Sequence, residues 1–450
     1  MHRIGLIGDN SLEYVKKLLE IWEAGNCAVL IDWRIPKNSA EEMLKEADVK
    51  YCYIERKLYD KWNDDNQSKV ELIPYDTKHG TAEILPADFY DRYKDDYSAN
   101  EAVILFSSGT TGKAKGVILS HYAISTNADS ILDYMNLTDK DCFYIAKTLA
   151  HSSTLVGELL VCLKSHTKVV IANTVMIPRF IIRNIVKYKA TRMAVNPTVL
   201  SLLLNDKALS ELTNSSLKVL YVSGAVLRKN LWEKAKSYLH NVELYNVYGL
   251  SEAGPRVTAQ NQDYCTENSV GRPILNVEVE IRNDSNETLE KNNIGVIYVK
   301  TQSCFSGYLN SPDSELVDGY FNTKDLGYLN DQGELVIVGR ADDVIISSSH
   351  NVLPYGIESV ILASGEVTEC AVVGIPDELH GEKIVCVYIA QNEISTLKMT
   401  HYCEQYLPPY EVPQKWIKVD EISANNNGKV NRKYLKKYVM EREENETGNN

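Results

Sequence analysis

The sequence predicts an α/β protein: a large N-terminal domain of mixed, mainly parallel sheets flanked by helices, with a small β-rich subdomain, and then a small α+β C-terminal domain. Three patterns point to it. Strand, helix and strand alternate in the first thirty-odd residues and again around 103–135, 168–204 and 217–247, which is the rhythm of parallel strands joined by crossover helices. Between 270 and 338 the texture changes to short strands such as VEVEIRN, GVIYVK and ELVIVG, with turn residues at Asn283-Asp284 and Asp331 to Gly333. After Gly339 a shorter mixture follows: a helix near 354–363, the strands TECAVVG and KIVCVYIA, and a helix near 396–406.

The elements follow in order. IGLIG reads as the first strand. A helix capped near Asp9 to Ser11 then runs to Gly25, because Leu12, Val15, Leu18, Leu19 and Trp22 recur at helical spacing and Gly25 is a good stop. CAVLID is the second strand. From 55 to 100 the chain is charged and broken by Gly and Pro, and reads as edge structure or surface loops. The boundaries expected are a large domain over 1–339, with its β-rich part at about 270–338, a small domain over 340–440, and a polar, frayed tail over 441–450.

The chain has 450 residues, 44% of them hydrophobic and 24% charged, with a net charge of −13. That composition supports a packed core, and the acidic balance argues against a nucleic-acid partner, which needs a basic field. Nine cysteines are scattered without a CxxC pair, as expected of small core thiols in a reducing cytoplasm rather than of a disulfide framework or zinc site. No run of 18 apolar residues is present, so no membrane partner is expected.

The most informative segment is Phe106-Ser-Ser-Gly-Thr-Thr-Gly-Lys-Ala-Lys-Gly116, which follows the apolar AVIL and precedes VILSH. Its glycines let the backbone turn several amides toward one point, its hydroxyls add donors, and two lysines add charge, a combination suited to a polyphosphate. It is not a Walker A loop, because Gly112-Lys113 is followed by Ala114. The bland alternative is a flexible surface turn.

This segment resembles the phosphate loop of the adenylate-forming superfamily, which contains acyl- and aryl-CoA synthetases, adenylation domains and luciferases. The family pattern is aromatic-T-S-G-[ST]-T-G-x-P-K-G, with Ser107 standing for Thr and Ala114 for Pro. Further motifs follow in family order. Tyr248-Gly-Leu-Ser-Glu252 resembles Y-G-x-[ST]-E, Asn322-Thr-Lys-Asp325 resembles T-G-D, Gly339-Arg-Ala-Asp-Asp343 resembles the interdomain hinge motif, and Asn427-Gly-Lys429-Val-Asn-Arg432 resembles the C-terminal G-K-x-x-R. Taken singly, each has an ordinary reading as a core aromatic, a turn or a solvated charge. Five in order identify the chain as a member, N-terminally short, with a mobile C-terminal cap.

The resemblance implies an AMP-forming acid–thiol ligase with ATP and Mg²⁺ as cofactors. Ser107, Ser108, Gly109, Thr110, Thr111 and Gly112 would hold phosphates, with Lys115 screening charge. Gly224, Ala225, Tyr248, Gly249 and Ser251 would lie against the nucleotide, Asp325 would accept from the ribose hydroxyls and Arg340 would contact the nucleotide. Glu252 would hold Mg²⁺, Lys429 would bridge the substrate carboxylate and α-phosphate, and Asp342 would be the hinge. His151, Ser152 and Ala225 would line the acid pocket, because Thr148-Leu-Ala-His151-Ser-Ser occupies the place of an H-S-x-G-like pattern. A capped helix start with a structural His is the plainer reading of His151. Amino-acid-activating members carry F-D-x-S there, and this chain lacks that Asp, so an aryl or acyl acid is expected and an α-amino acid is not.

Two departures bear on the acceptor. Ser348 and Ser349 replace a family glycine pair that lets pantetheine pass close to the backbone, and Lys324 stands where Gly precedes the ribose Asp. Coenzyme A or the phosphopantetheine of a carrier protein is the expected acceptor. An amine acceptor, an enzyme that stops at the adenylate, and a non-catalytic nucleotide-binding descendant stay open.

Overall fold

The structure, a computed structural model, describes residues 1–62, 70–78, 82–107, 114–174, 177–309, 316–347, 350–377, 380–423 and 430–448. Its architecture is the α/β class expected, organised among these residues by four sheets. The first has seven strands, in the order Gly307–Tyr308, Lys115–Ser120, Glu101–Ser107, Cys27–Asp32, Arg3–Gly8, Tyr51–Glu55 and Glu71–Tyr75. Pairing is parallel from Glu101–Ser107 across to Glu71–Tyr75. The hairpin of Glu101–Ser107 with Lys115–Ser120 and the short Gly307–Tyr308 strand are antiparallel. The second sheet has eight strands around a parallel run of Lys168–Ala172, Cys142–Ile145, Arg192–Val195, Val219–Val222 and Glu243–Gly249.

Local chemistry explains the elements. Ser11 caps the first helix, Leu12–Glu23, by accepting from Tyr14 N at 3.1 Å, and Val15, Leu18 and Leu19 are buried beneath it. The helix stops where Gly25 takes a φ of 68°, a conformation that costs a side chain about 1–2 kcal/mol. The strand Cys27–Asp32 is buried at every position, as parallel strands covered on both faces should be. Ile7, Val29, Ile31, Cys52, Ile54 and Ile104 pack with Ala40, Leu44 and Trp62 in one cluster. Around 103–135 the expected crossover is instead a hairpin followed by the Ser120-capped helix His121–Met135. In the 55–100 stretch the strands Glu71–Tyr75 and Ala82–Ile84 do edge the two sheets, while Arg56–Trp62 and Ala87–Arg92 are helices too short for periodicity to reveal.

A small five-stranded sheet uses Val277–Arg282, Gly295–Thr301, Leu316–Val317, Tyr320–Leu329 and Leu335–Arg340. The chain divides into two compact units, one of Met1–Ser223, Glu233–Glu280 and Tyr298–Thr323, the other of Gly224–Trp232, Ile281–Ile297 and Lys324–Asn450. The second contains a further sheet of His350–Val352, Ile345–Ser347, Gly381–Ile389, Glu369–Asp377 and Lys415–Lys418. Period-two alternation sends Cys370 and Val372 toward the helix Pro354–Ala363, and Ala371, Val373 and Ile375 toward Leu435 and Val439 of the last helix. All nine cysteines are free thiols and seven are buried. No helix among the described residues is long and apolar enough to cross a membrane.

A buried carboxylate pins the second unit. Glu358, 1% exposed, accepts from Arg432 Nη1 at 2.7 Å and Val372 N at 2.8 Å, and its other oxygen lies 3.0 Å from Arg228 Nη2. Removing one partner of such a pair strands the remaining charges, at a typical cost of about 3–5 kcal/mol. Glu358→Ala is therefore expected to lower the denaturant stability of this unit by about 3 kcal/mol or more and to speed amide exchange along 369–389; unfolding curves matching wild type would show that the network contributes nothing.

Candidate active site

Parallel strands deliver their following loops to one end of a sheet, and ligands in α/β proteins bind at those carboxyl ends. In the first unit most expected site residues sit there. Ser107 ends one strand, Tyr248 and Gly249 end another, and His151 and Ser152 follow Cys142–Ile145. Ser107 is in register with Lys115, which sets both edges of the Gly/Ser/Thr loop. Ser108, Gly109, Thr110, Thr111 and Gly112 lie outside the described residues, as do Lys113, Ser348, Ser349 and Lys429.

Gly249 has a steric reason. A Cβ there would meet Pro255 O at 1.8 Å, because Glu243–Gly249 folds back tightly onto Arg256–Ala259. The turn Ser251–Ala253 follows, and Glu252 Oε1 accepts from the Tyr308 hydroxyl at 2.9 Å. Lys115 Nζ lies over the Tyr308 ring, 4.6 Å from its centre. The two residues expected to manage phosphate charge are thus gathered on one aromatic side chain that sequence reasoning missed, since Tyr308 is far from both along the chain. The weak signal was the dipeptide Gly307-Tyr308 a few residues after the strand Gly295–Thr301.

The two large sheets meet through their strand ends. Asn10, 3% exposed, donates from Nδ2 to Lys147 O at 2.7 Å, accepts at Oδ1 from Leu149 N at 2.9 Å, and accepts at its backbone O from Asn173 Nδ2 at 3.0 Å. Asp9 accepts from both N and Oγ1 of Thr174. These bonds hold the 147–151 segment that presents His151 and Ser152. Ser152 Oγ lies 2.8 Å from Ser251 Oγ, which ties the expected acid-pocket edge to the Tyr248–Glu252 motif. His151 precedes a short helix without capping it by its side chain, and Nε2 lies 3.9 Å from Asp32 Oδ2. Burial would push the Asp32 carboxyl up, but Arg34, which donates from N and Nε to Oδ1 and contacts Oδ2, outweighs it and holds the carboxyl below its ordinary range. Below this segment Glu158, 1% exposed within the π-helix Leu155–Leu160, pairs with Lys147 Nζ at 2.8 Å, while burial pushes its carboxyl up.

The second unit carries Gly224, Ala225, Asp325, Arg340 and Asp342. Gly224 has a φ of 89°. Asp325 and Arg340 are register partners, and Arg340 Nη1 donates to Asp325 Oδ1 at 2.7 Å, with Asp342 Oδ2 3.8 Å from Nη2. Arg340 stands in an ion pair rather than as a bare positive charge. Lys324, standing where the family motif has glycine, adopts a φ of 59°, a left-handed conformation that glycine takes without steric cost.

The chain matches the AMP-binding enzyme model over residues 1–309 and the AMP-binding enzyme C-terminal domain model over 356–429. The protein is a member of the AMP-binding enzyme family. The resemblance drawn from its five motifs is thereby borne out. This AMP-binding enzyme is 27% identical to the 2-succinylbenzoate–CoA ligases of Bacillus cereus (strain Q1) and Bacillus mycoides (strain KBAB4), over 98% of this chain and 89% of each relative. Its fold matches that of ATP-bound MatB from Rhodopseudomonas palustris with a TM-score of 0.87 and 23% identity, over 97% of this chain and 88% of that one. It likewise matches the o-succinylbenzoate CoA synthetase of Bacillus subtilis in complex with its acyl-adenylate intermediate, with a TM-score of 0.81 and 22% identity, over 97% and 88% of the two chains.

The depressed carboxyl of Asp32 makes a pH prediction. A group that titrates lower folded than unfolded stabilises the fold above its unfolded pKa and loses that contribution as pH falls through the folded value. Asp32→Asn is expected to lower the melting temperature at pH 7, with the gap to wild type shrinking below about pH 4; a gap that stays constant down to pH 3 would mean that the charge of Asp32 is not what matters.

Proposed function

We propose that this protein activates a carboxylic acid with ATP and passes the acyl group to the thiol of coenzyme A. Family membership supports the reading, together with relatives that are 2-succinylbenzoate–CoA ligases. The observation that carries it is the convergence of Lys115 and Glu252 on Tyr308, joined through Ser251 to Ser152. A scaffold would have no need for a phosphate-loop cation and a carboxylate held side by side.

In the first half-reaction a carboxylate oxygen of the acid attacks the α-phosphorus of ATP, the bond to the β-phosphate oxygen breaks, and pyrophosphate leaves. Two anions must approach each other, so the protein's work is positioning and charge stabilisation. Lys115 would screen the outer phosphates with the loop amides of 107–112. Lys429 would bridge the attacking carboxylate and the α-phosphate. Tyr248 would pack on the adenine, Asp325 would hold the ribose hydroxyls, and Arg340 would move its contact from Asp325 to the nucleotide. Mg²⁺ fits at Glu252, because it is commonly held by one or two carboxylates plus substrate phosphates, and Glu252 with the Ser251 hydroxyl offers the hard oxygens it prefers. When bound, the ion supplies charge neutralisation at the phosphate oxygens.

In the second half-reaction the thiol sulfur attacks the acyl carbon, the bond to the AMP oxygen breaks, and the thiol proton is released as AMP departs. Asp342 would be the pivot between the two steps. His151, Ser152 and Ala225 would line the acid; the missing Asp in the 148–155 segment disfavours an α-amino acid, and the named relatives favour an aryl acid.

Pyrophosphate exchange with a panel of aryl, aliphatic and amino acids, with and without coenzyme A, tests the reading. Exchange with an aryl acid and thioester formation with coenzyme A are expected; silence across the panel would sink it. Lys429→Ala is expected to lower acid-dependent exchange by on the order of 10² to 10³ without changing the melting temperature, and an undiminished rate would remove Lys429 from the mechanism.

A further inference from the structure

The segment 305–309 is fastened to both halves of the phosphate-handling site. Phe305 N donates to Glu252 O at 2.9 Å, Ser306 N to Ile118 O at 2.8 Å, and Leu309 N to Gly116 O at 2.9 Å. The fit is close at two glycines. A Cβ on Gly116 would lie 2.3 Å from Leu309 Cδ1 and would force that side chain to move, and a Cβ on Gly254 would strike the backbone O of Ser303 at 2.5 Å. Tyr308 is thereby held in register with Val117, two residues beyond Lys115. Its ring is braced edge-on by Phe305 at 4.9 Å, and Phe305 in turn by Phe321 at 5.4 Å.

From this rigid seat Tyr308 acts in two directions. Its hydroxyl donates to Glu252 Oε1 at 2.9 Å, which sets the rotation of the carboxylate. Its ring face lies beneath Lys115 Nζ, 4.6 Å from the ring centre, and an ammonium on a flexible, exposed stem is attracted to that face. One side chain therefore orients both an anion and a cation that sequence separation would leave independent.

We propose that Tyr308 is a positioning residue that couples the phosphate-loop lysine to the metal-binding carboxylate, so that Mg²⁺ and the nucleotide phosphates are engaged as one unit. The inference rests on the assignment of Glu252 and Lys115 made above. Groups that orient a ligating carboxylate typically change metal affinity by 10- to 100-fold when lost. Removing the hydroxyl should weaken Mg²⁺ while the lysine keeps its seat, and removing the ring should weaken the nucleotide as well.

Two variants separate these effects. Tyr308→Phe keeps the ring over which Lys115 lies and the packing on Phe305, and loses the donor to Glu252. Tyr308→Leu loses both. Two readouts apply to each: the Mg²⁺ dependence of the thermal shift produced by a non-hydrolysable ATP analogue, and the Mg²⁺ dependence of acid-driven pyrophosphate exchange. Tyr308→Phe is expected to raise the half-saturating Mg²⁺ about tenfold in both while melting like wild type without ligand. Tyr308→Leu should raise the KM for ATP as well. In a Glu252→Gln background, where the carboxylate is already gone, Tyr308→Phe should add nothing to the loss in the binding readout.

Unchanged Mg²⁺ dependence in Tyr308→Phe, or a loss that multiplies with that of Glu252→Gln, overturns the coupling. The thermal-shift arm needs no acid substrate. If wild type binds the analogue with Mg²⁺ but exchanges pyrophosphate with no acid, the proposed reaction fails, and the role of Tyr308 still stands or falls on the binding data.

Discussion

The parallel pairing of strands in the two large sheets is the constraint from which the site follows. Parallel neighbours cannot be joined by a tight turn, so each strand must be followed by a loop at the same end of the sheet and a return segment across its face. Asp9 and Asn10 after Arg3–Gly8, Asp32 at the end of Cys27–Asp32, Lys147 to His151 after Cys142–Ile145, Asn173 and Thr174 after Lys168–Ala172, and Tyr248 at the end of its strand all appear at carboxyl ends for this reason. Polar residues collect there because the strand interiors are buried on both faces. The loops then find one another: Asn10 with Leu149 and Asn173, Asp9 with Thr174, and Asp32 opposite His151.

The antiparallel exceptions matter as much. Lys115–Ser120 returns beside Glu101–Ser107, and Gly307–Tyr308 adds to its open edge. That edge is where Tyr308 comes to lie between Lys115 and Glu252. In a chain with a net charge of −13, cationic groups need local partners to be held in place. Lys115 has an aromatic face, Arg34 has Asp32, and Arg340 has Asp325. Each arrangement orients a cation, and the two arginines are also charge-balanced by their carboxylates before any anionic ligand arrives.

Much of this was legible in the sequence because it depends on local patterning. The Ser11 cap, the Gly25 stop, the buried strand CAVLID and the alternation of the 369–377 strand are each written into a few consecutive residues. The motifs around Tyr248, Asp325 and Arg340 were legible for the same reason, being short and contiguous. The helices Arg56–Trp62 and Ala87–Arg92 were not, because six or seven residues show too little periodicity, and the burial of Trp62 and Phe89 is decided by the tertiary packing around them. Nor was the hairpin at 101–120, since an apolar segment on either side of a polar loop looks the same whether the second strand runs parallel or antiparallel.

By itself the sequence determined the fold class, the family and the identities of the chemical groups, since these depend on residue type, periodicity and the order of short motifs. Tertiary structure alone decided which of those groups are neighbours. That Tyr308 serves both Lys115 and Glu252, that Ser152 reaches Ser251, that Asn10 holds the His151 segment and that Glu358 gathers Arg228 and Arg432 all depend on contacts between residues far apart along the chain. Such contacts are set by sheet order and register, which no local pattern encodes.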